Sequence, residues 1–460
     1  MEKPMKDYDA VVVGSGTAGQ TVAYDLNEKG LKIAVVERSA HPGGTCALSG
    51  CQPKKYYYEV METVARCRHL AGKGIVSPPV SSWPQAKAQK DAFTSRISER
   101  TVQAFQDAGI AYLPGTAHFH DEETLAIEGR PIRAGYFVLA TGARPMHLPF
   151  SGSDLLMTSD QFLDLPDLPS RIVFVGGGFI SFEFAHFAAR LGTENKEVHI
   201  IEVMDRPLGP FDKEMVELLV EASREEDIAV HTGVQIVSVQ KHEKGFALTT
   251  ASGDQFAADL VVHGAGRVPN MEDLNLDAAG IAYTSRGITV DAFMRTSNQR
   301  VYAVGDCAAT IQLARIADYE AHVAAEAILA DIHHTTATGM SYEAAPSILF
   351  TYPQYGMIGK TEDTLRSDGT EYYKSAADHL GWPTYRRIGL KHAAYKILAG
   401  RDGRILGAHF LSDSATGLVN TVKHAMLCGL TVDELHRQSI VSPYPSRESD
   451  LIYMLEPLLP

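Results

Sequence analysis

Residues 7–38 read DYDAVVVGSGTAGQTVAYDLNEKGLKIAVVER. The apolar run ending at Val13 is too short for a buried helix and stops at a glycine. A helix-period stretch follows, then a second apolar run ending at Glu37. The pattern predicts strand, tight turn, helix, strand. Residues 171–205, RIVFVGGGFISFEFAHFAARLGTENKEVHIIEVMD, repeat it. Two copies far apart imply two separate nucleotide-binding units. A solenoid would need more copies at short period.

In the first copy, Gly14 permits the tight turn, Gly16 lets backbone approach a pyrophosphate, and Gly19 lets helix and strand pack closely. The helix behind them points N–H groups and partial positive charge at the phosphate. Glu37 is placed to accept from ribose hydroxyls. The second copy has Gly176 and Gly178, but Ser181 stands where the third glycine would be, which strains the close approach. Glu202, closing the next strand, would accept a free ribose diol and repel a 2′-phosphate. NAD is therefore expected over NADP, with Arg206 able to offset that repulsion.

Composition sets the outer limits. The chain has 460 residues, 45% of them hydrophobic and 21% charged. That suits a globular protein of about three domains. With 42 Lys plus Arg against 56 Asp plus Glu, the net charge is −14, which disfavours nucleic acid as a partner. Five cysteines form no disulfide framework and suit a reducing compartment. No apolar stretch reaches the ~18 residues of a membrane span. The opening MEKPMKDYDAVVVG lacks a signal-peptide core. These features point to a cytoplasmic protein without membrane insertion.

Between the copies, Tyr56 to Gly109 reads as largely helical, broken by the loop SPPVSSWP around Pro78 and Pro84. The run DLVVHGAGRVPN closes the second unit. From Ser285 to Ala327 come turn, strand, YAVGDCA and helix. Beyond Pro346, the strands SILFTYP, HAAYKILAG and ILGAHFL precede a helix from about Ser414 to Cys428.

The run Gly43-Gly44-Thr45-Cys46-Ala47-Leu48-Ser49-Gly50-Cys51-Gln52-Pro53-Lys54-Lys55 carries two cysteines separated by four residues. Pro53 suits a first helical turn, so Cys51 is expected near a helix N-terminus, which lowers a thiol pKa. The readings are a redox pair, a buried core pair or half a zinc site. Zinc would need further ligands at motif spacing. Cys67 stands alone, His118 and His120 read as alternating strand residues, and His333-His334 as loop, so no metal site is expected.

A nucleotide fold, GGTCxxxGCxPxK, ATGARP, a second nucleotide fold and GDCA, in that order, resemble the pyridine nucleotide–disulfide oxidoreductases. That family includes dihydrolipoamide dehydrogenase, glutathione reductase and mercuric reductase. The resemblance covers essentially the whole chain. It implies an α/β fold: two Rossmann-like dinucleotide-binding domains, for FAD and NAD, plus a C-terminal α+β dimerisation domain. The expected stretches are 1–149 and 271–345 for FAD, 150–270 for NAD(P) and 346–460 for a homodimer interface. Cys51 would be the charge-transfer thiolate beside the flavin and Cys46 the interchange thiol. Lys55 matches the lysine near flavin N5 and Glu183 its acidic partner. Phe179 matches the aromatic gate over the flavin, with a core aromatic as the bland reading. Thr141 and Gly142 resemble the turn that closes over FAD, and Gly266 and Arg267 its counterpart. Gly305 and Asp306 resemble the ribityl-binding motif. Leu313 and Ala314 open a helix facing flavin O2, in a stretch closer to dihydrolipoamide dehydrogenase. Gly44, Thr45, Ala117 and Ile180 complete the implied cofactor contacts. Cys307 is read as buried. Electrons would pass from NADH through FAD to the Cys46–Cys51 disulfide.

One departure affects the acceptor. The family's C-terminal His-Pro-Thr-x-Ser-Glu supplies an acid–base histidine from the partner subunit. Here the stretch reads Tyr444-Pro445-Ser446-Arg447-Glu448-Ser449. Tyr444 stands at the histidine position and Ser449 at the glutamate position, with Glu448 one residue early. A phenol titrates near 10 and imidazole near 6.5, so a phenol is a poor proton shuttle at neutral pH. Tyrosine there resembles mercuric reductase, whose C-terminal vicinal cysteine pair is not expected in a chain ending LEPLLP. Tyr444 reads either as a substrate contact or as dimer packing. The expected acceptor is a small disulfide, a persulfide, a metal ion or a quinone, with a small-protein acceptor also in view. The rival reading is an electron-delivering or binding subunit of a larger complex.

Overall fold

The computed structural model describes residues 7–192 and 196–459. The polar opening run 1–6, residues 193–195 of the second repeat and Pro460 of LEPLLP lie outside the described residues. The chain divides into two compact units. One takes residues up to Lys55, Ala88–Met146 and Arg267–Ser341; the other takes Tyr56–Lys87, His147–Gly266 and the chain from Tyr342 on.

In the first unit, Tyr8–Val13 lies parallel to Ile33–Glu37 on one side and to the C-terminal half of Arg130–Leu139 on the other. Ala111–Pro114 and Val301–Ala303 extend the parallel sheet. The N-terminal half of Arg130–Leu139 turns antiparallel with Thr124–Ile127 and then Ala117–Phe119. Ala10, Val11 and Val12 are wholly buried because both faces of the sheet are covered. Val22 and Leu26 of helix Thr17–Glu28 share one core with Ala321 and Ile328 of helix Ala314–His333. Phe119, Phe137, Leu276 and Ile281 fill the other.

The second unit repeats the scheme with four parallel strands in the order Ile228–His231, Glu197–Ile201, Arg171–Val175, Leu260–His263. Helix Phe179–Arg190 crosses over between Arg171–Val175 and Glu197–Ile201. An antiparallel meander, Ile236–His242, Gly245–Thr250 and Gln255–Ala258, accompanies it. Five antiparallel strands form the C-terminal sheet, ordered Pro346–Leu349, Gln354–Gly359, Ile405–Ser412, Ala394–Ala399, Tyr373–Ala377. Helix Ala415–Leu427 buries Leu418, Val419 and Val422 in the same core.

Three local expectations change. Helix Trp83–Thr94 begins inside the proposed SPPVSSWP loop, so Pro84 is a first-turn residue, where proline's missing N–H costs nothing. Helix Ala314–His333 runs through His333, and His334 is its left-handed C-cap at φ 56°. Glu202 sits one residue past strand Glu197–Ile201. Among the described residues, no helix is long and apolar enough to cross a membrane.

Candidate active site

The first glycine turn leaves no room for a side chain at Gly14 or Gly19. A Cβ on Gly14 (φ +114°) would lie 2.2 Å from the Ala140 carbonyl oxygen, and one on Gly19 2.0 Å from that of Gly14. Gly16 caps helix Thr17–Glu28 with extended backbone. The bare backbone and free N–H groups at this helix start fit a pyrophosphate. Glu37 holds the turn: its Oε2 accepts from Ser15 N–H at 2.9 Å and Ser15 Oγ at 2.7 Å, and its Oε1 from Ser39 N–H at 2.8 Å.

The cysteine motif is docked on that turn. Ser15 Oγ accepts from Gly43 N–H at 3.0 Å. A Cβ on Gly44 (φ +76°) would fall 2.4 Å from Gly16 Cα. Cys46 lies in the short helix Gly44–Leu48, with Thr45 exposed beside it, and Cys51 opens helix Cys51–His69. The two sulfurs are free thiols and hydrogen-bond to each other. That bond, Lys54 and the Cys51 backbone N–H lower the Cys51 thiol to about 6, against the pull of burial. Lys55 adds a smaller lowering. The same bond, with burial and Asp318, pushes Cys46 up. The pair is thus divided into one thiolate and one thiol.

Around this core, Thr141 Oγ1 donates to the Asn270 carbonyl at 2.6 Å, and Asn270 N–H to that of Gly142 at 2.9 Å. Arg267–Pro269 pairs antiparallel with Ala143–Pro145, and the Arg267 guanidinium donates to the Ala143 carbonyl. Gly266 precedes it at φ 110°. Gly305 (φ +70°) donates to Glu320 Oε2 at 2.7 Å. Burial raises the adjacent Asp306 carboxyl, and Arg267 opposes that shift. Leu313 caps the helix opened by Ala314. Ala117 opens a buried strand end. Cys307 is buried, with its Sγ 3.3 Å from the Leu139 carbonyl. Thr17 Oγ1 donates to Asp318, which ties the first glycine helix to helix Ala314–His333.

In the second unit, a Cβ on Gly176 (φ +99°) would lie 2.3 Å from Ala265 Cα. Gly178 caps helix Phe179–Arg190. Glu202 Oε2 accepts from Gly177 N–H at 2.5 Å and its Oε1 from Met204 N–H at 2.7 Å. Ser181 fits because Gly264 faces it: a Cβ there would lie 1.9 Å from Ser181 Oγ. Phe179 is 49% exposed at the helix start, which is not a core aromatic, and Ile180 is half-buried against the unit's core. Glu183 is buried and accepts from Phe350 N–H at 2.9 Å. Arg206 is engaged by the carbonyls of Gly209 and Phe211, at 2.7 and 3.1 Å.

Tyr444 is 78% exposed. Ser449 is buried and bonded to Ser446 Oγ and carbonyl. Glu448 Oε1 lies over Gly417, 2.1 Å from where a Cβ would be. Sequence reasoning missed Ser15, Asp318, Asn270 and Gly264. All four act by contacts to residues remote in sequence, which no local pattern signals.

The family model described as pyridine nucleotide-disulphide oxidoreductase matches residues 8–321, and that of its dimerisation domain matches residues 345–450. Mercuric reductase of Staphylococcus aureus is 29% identical over 441 residues, covering 93% of this chain and 79% of that protein. Glutathione reductase of Burkholderia cepacia is 29% identical, covering 91% and 92%. Dihydrolipoyl dehydrogenase of Thermus scotoductus is 28% identical, covering 99% and 98%. In fold, the chain is similar to the HOCl-induced flavoprotein disulfide reductase RclA from Escherichia coli, with TM-score 0.86, 23% identity and 98% and 99% of the chains covered. The chain belongs to the pyridine nucleotide–disulphide oxidoreductases. It is an NAD(P)H-dependent flavin disulfide oxidoreductase.

Proposed function

We propose that this member of the pyridine nucleotide–disulphide oxidoreductases works as a homodimer, using FAD, NADH and the Cys46–Cys51 pair to reduce an acceptor that needs no positioned acid. The carrying observation is the hydrogen-bonded thiol pair, with Cys51 acidified to about 6, seated on the first glycine turn. In this reading the FAD domain comprises 1–149 and 271–345, the NAD domain 150–270 and the interface domain 346–460.

FAD, when bound, supplies two-electron transfer between a pyridine nucleotide and sulfur. The glycine turn at Gly14–Gly19 would hold its pyrophosphate, and Glu37 its ribose. Thr141, Gly142, Gly266, Arg267, Gly305 and Asp306 would line the rest, with Lys55 and Glu183 in the roles the resemblance gives them. The Cys46–Cys51 disulfide takes up two electrons and one proton, leaving Cys46 a thiol and Cys51 a thiolate. That is the charge distribution the two opposed pKa shifts favour. Delivery of two electrons to the acceptor re-forms the S–S bond and releases the proton. Glu202 favours NADH, and Arg206 is already engaged by loop carbonyls.

Tyr444 and Ser449 cannot act as an oriented imidazole. Losing a positioned acid–base commonly costs about 10²–10⁴-fold. Turnover of glutathione disulfide or dihydrolipoamide is therefore expected to be poor, which favours a metal ion, persulfide or quinone. The exposed run Ile440, Val441 and Tyr444 suits a subunit interface, and five cysteines in 460 residues suit a cytoplasmic setting.

The test is anaerobic NADH titration of the FAD-loaded protein. Long-wavelength absorbance from a Cys51 thiolate should appear, fade as pH falls through about 6, and vanish in Cys51→Ser. No band in the wild type would defeat the proposal. An acceptor screen run beside Tyr444→His should show disulfide turnover rising at least tenfold. If wild type already reduces disulfides as fast as the histidine variant, the acceptor assignment is wrong.

A further inference from the structure

We propose that Glu221, His379 and His392 form a binding site for a borderline divalent cation of the Zn²⁺ type, apart from the redox centre and wholly within the second unit. One ligand atom from each lies within 4.8 Å of the other two. Glu221 is in the last turn of helix Lys213–Arg224, and both histidines lie in the connection between strands Tyr373–Ala377 and Ala394–Ala399.

The donor chemistry fits. His379 Nδ1 donates to the Lys391 carbonyl at 3.3 Å. That bond keeps the ring proton on Nδ1 and leaves the Nε2 lone pair free, the arrangement ligating histidines adopt. Nε2 faces Glu221 Oε2 at 3.9 Å. The His392 side chain is only 8% exposed. Its Nε2 lies 3.2 Å from Glu225 Oε1, and neither ring nitrogen makes a hydrogen bond among the described residues. A buried, unsatisfied imidazole nitrogen is costly unless something occupies it. The histidine rings lie 5.4 Å apart.

Two imidazoles and one carboxylate select borderline cations such as Zn²⁺ over Mg²⁺ or Ca²⁺, which prefer all-oxygen shells. Ligand distances of about 2.0–2.2 Å require the three atoms to draw inward by roughly 1 Å. The two exposed ligands, Glu221 and His379, supply that movement around the fixed His392. Glu225, one helical turn from Glu221, places a second carboxylate 3.2 Å from His392 Nε2. Solvent reaches the exposed Glu221 and His379, so a water can complete the shell as fourth ligand. The bound cation would clamp the end of helix Lys213–Arg224 to the connection before strand Ala394–Ala399.

The experiment uses tag-free full-length protein carrying Cys46→Ser and Cys51→Ser, which removes the soft sulfur ligands. Calorimetric titration with Zn²⁺ should give one equivalent. Co²⁺ should give visible bands of nitrogen and oxygen coordination without thiolate charge transfer. His379→Ala and, separately, Glu221→Gln should each weaken Zn²⁺ binding at least about tenfold. Both positions are exposed, so the variants are expected to fold even if His392→Ala does not. Less than one equivalent bound, or unchanged affinity in both exposed variants, overturns the proposal.

Discussion

The two glycine turns share one device and put it to different use. In each, a carboxylate at the end of the neighbouring strand accepts from one backbone N–H of the turn and from one in its own following loop: Glu37 from Ser15 and Ser39, Glu202 from Gly177 and Met204. The second turn gains one more link, from Leu208 N–H to the Gly177 carbonyl at 2.9 Å; the first gains several, all through side chains or close backbone contact. The Ser15 hydroxyl joins it to Gly43, Gly44 abuts Gly16, and Thr17 bonds Asp318. At the second, the corresponding residues are Gly177, with no hydroxyl, and Phe179, an exposed ring. A turn anchored to its neighbours suits a prosthetic group that stays. A turn with an exposed aromatic ring at its mouth suits a ligand that comes and goes. That is the division of labour proposed for FAD and NADH.

Gly14→Ala and Gly176→Ala break the comparison most sharply. Each combines left-handed strain with a backbone clash, together on the order of 3 kcal/mol or more, about a hundredfold in affinity. Gly14→Ala should purify without flavin absorbance. Gly176→Ala should keep its flavin and lose saturable reduction by NADH. Flavin loss from both alike would mean the turns are not specialised.

Smaller effects of opposite sign come from the two serines. Ser15→Ala leaves the Gly43 N–H without its acceptor and removes a donor from Glu37, so it should destabilise by about 1–3 kcal/mol. The Ser181 hydroxyl is buried without a hydrogen-bond partner among the described residues. Ser181→Ala removes that orphan and improves helix propensity, so it should stabilise by up to about 1 kcal/mol. Thermal unfolding of both variants reads the two signs. Stabilisation by both would show that the first turn's hydroxyl link is incidental, and destabilisation by both that the Ser181 hydroxyl is satisfied.

Much of the site was legible because its signals are local. The Gly14 and Gly176 turns, the carboxylates Glu37 and Glu202 and the Cys46–Cys51 pair all lie within single strand–turn–helix segments. The errors were also local in origin. The loop pattern around Pro84 hides that proline is at home in a first helical turn, and the His333-His334 pair looks like loop because only its second residue leaves the helix. Ser181 looked like a strained substitute until Gly264, remote in sequence, supplied the space.

By itself the sequence determined the two strand–turn–helix–strand repeats and the closely spaced cysteine pair, because short-range periodicity and glycine spacing need no partner to be read. Only the tertiary structure decided that Ser15 bridges Glu37 to the cysteine motif, that the Cys51 hydrogen bond, burial and Asp318 raise Cys46, and that Glu221 meets His379 and His392. Those contacts join segments brought together by crossover connections and sheet packing, and their energies depend on distance in space rather than along the chain.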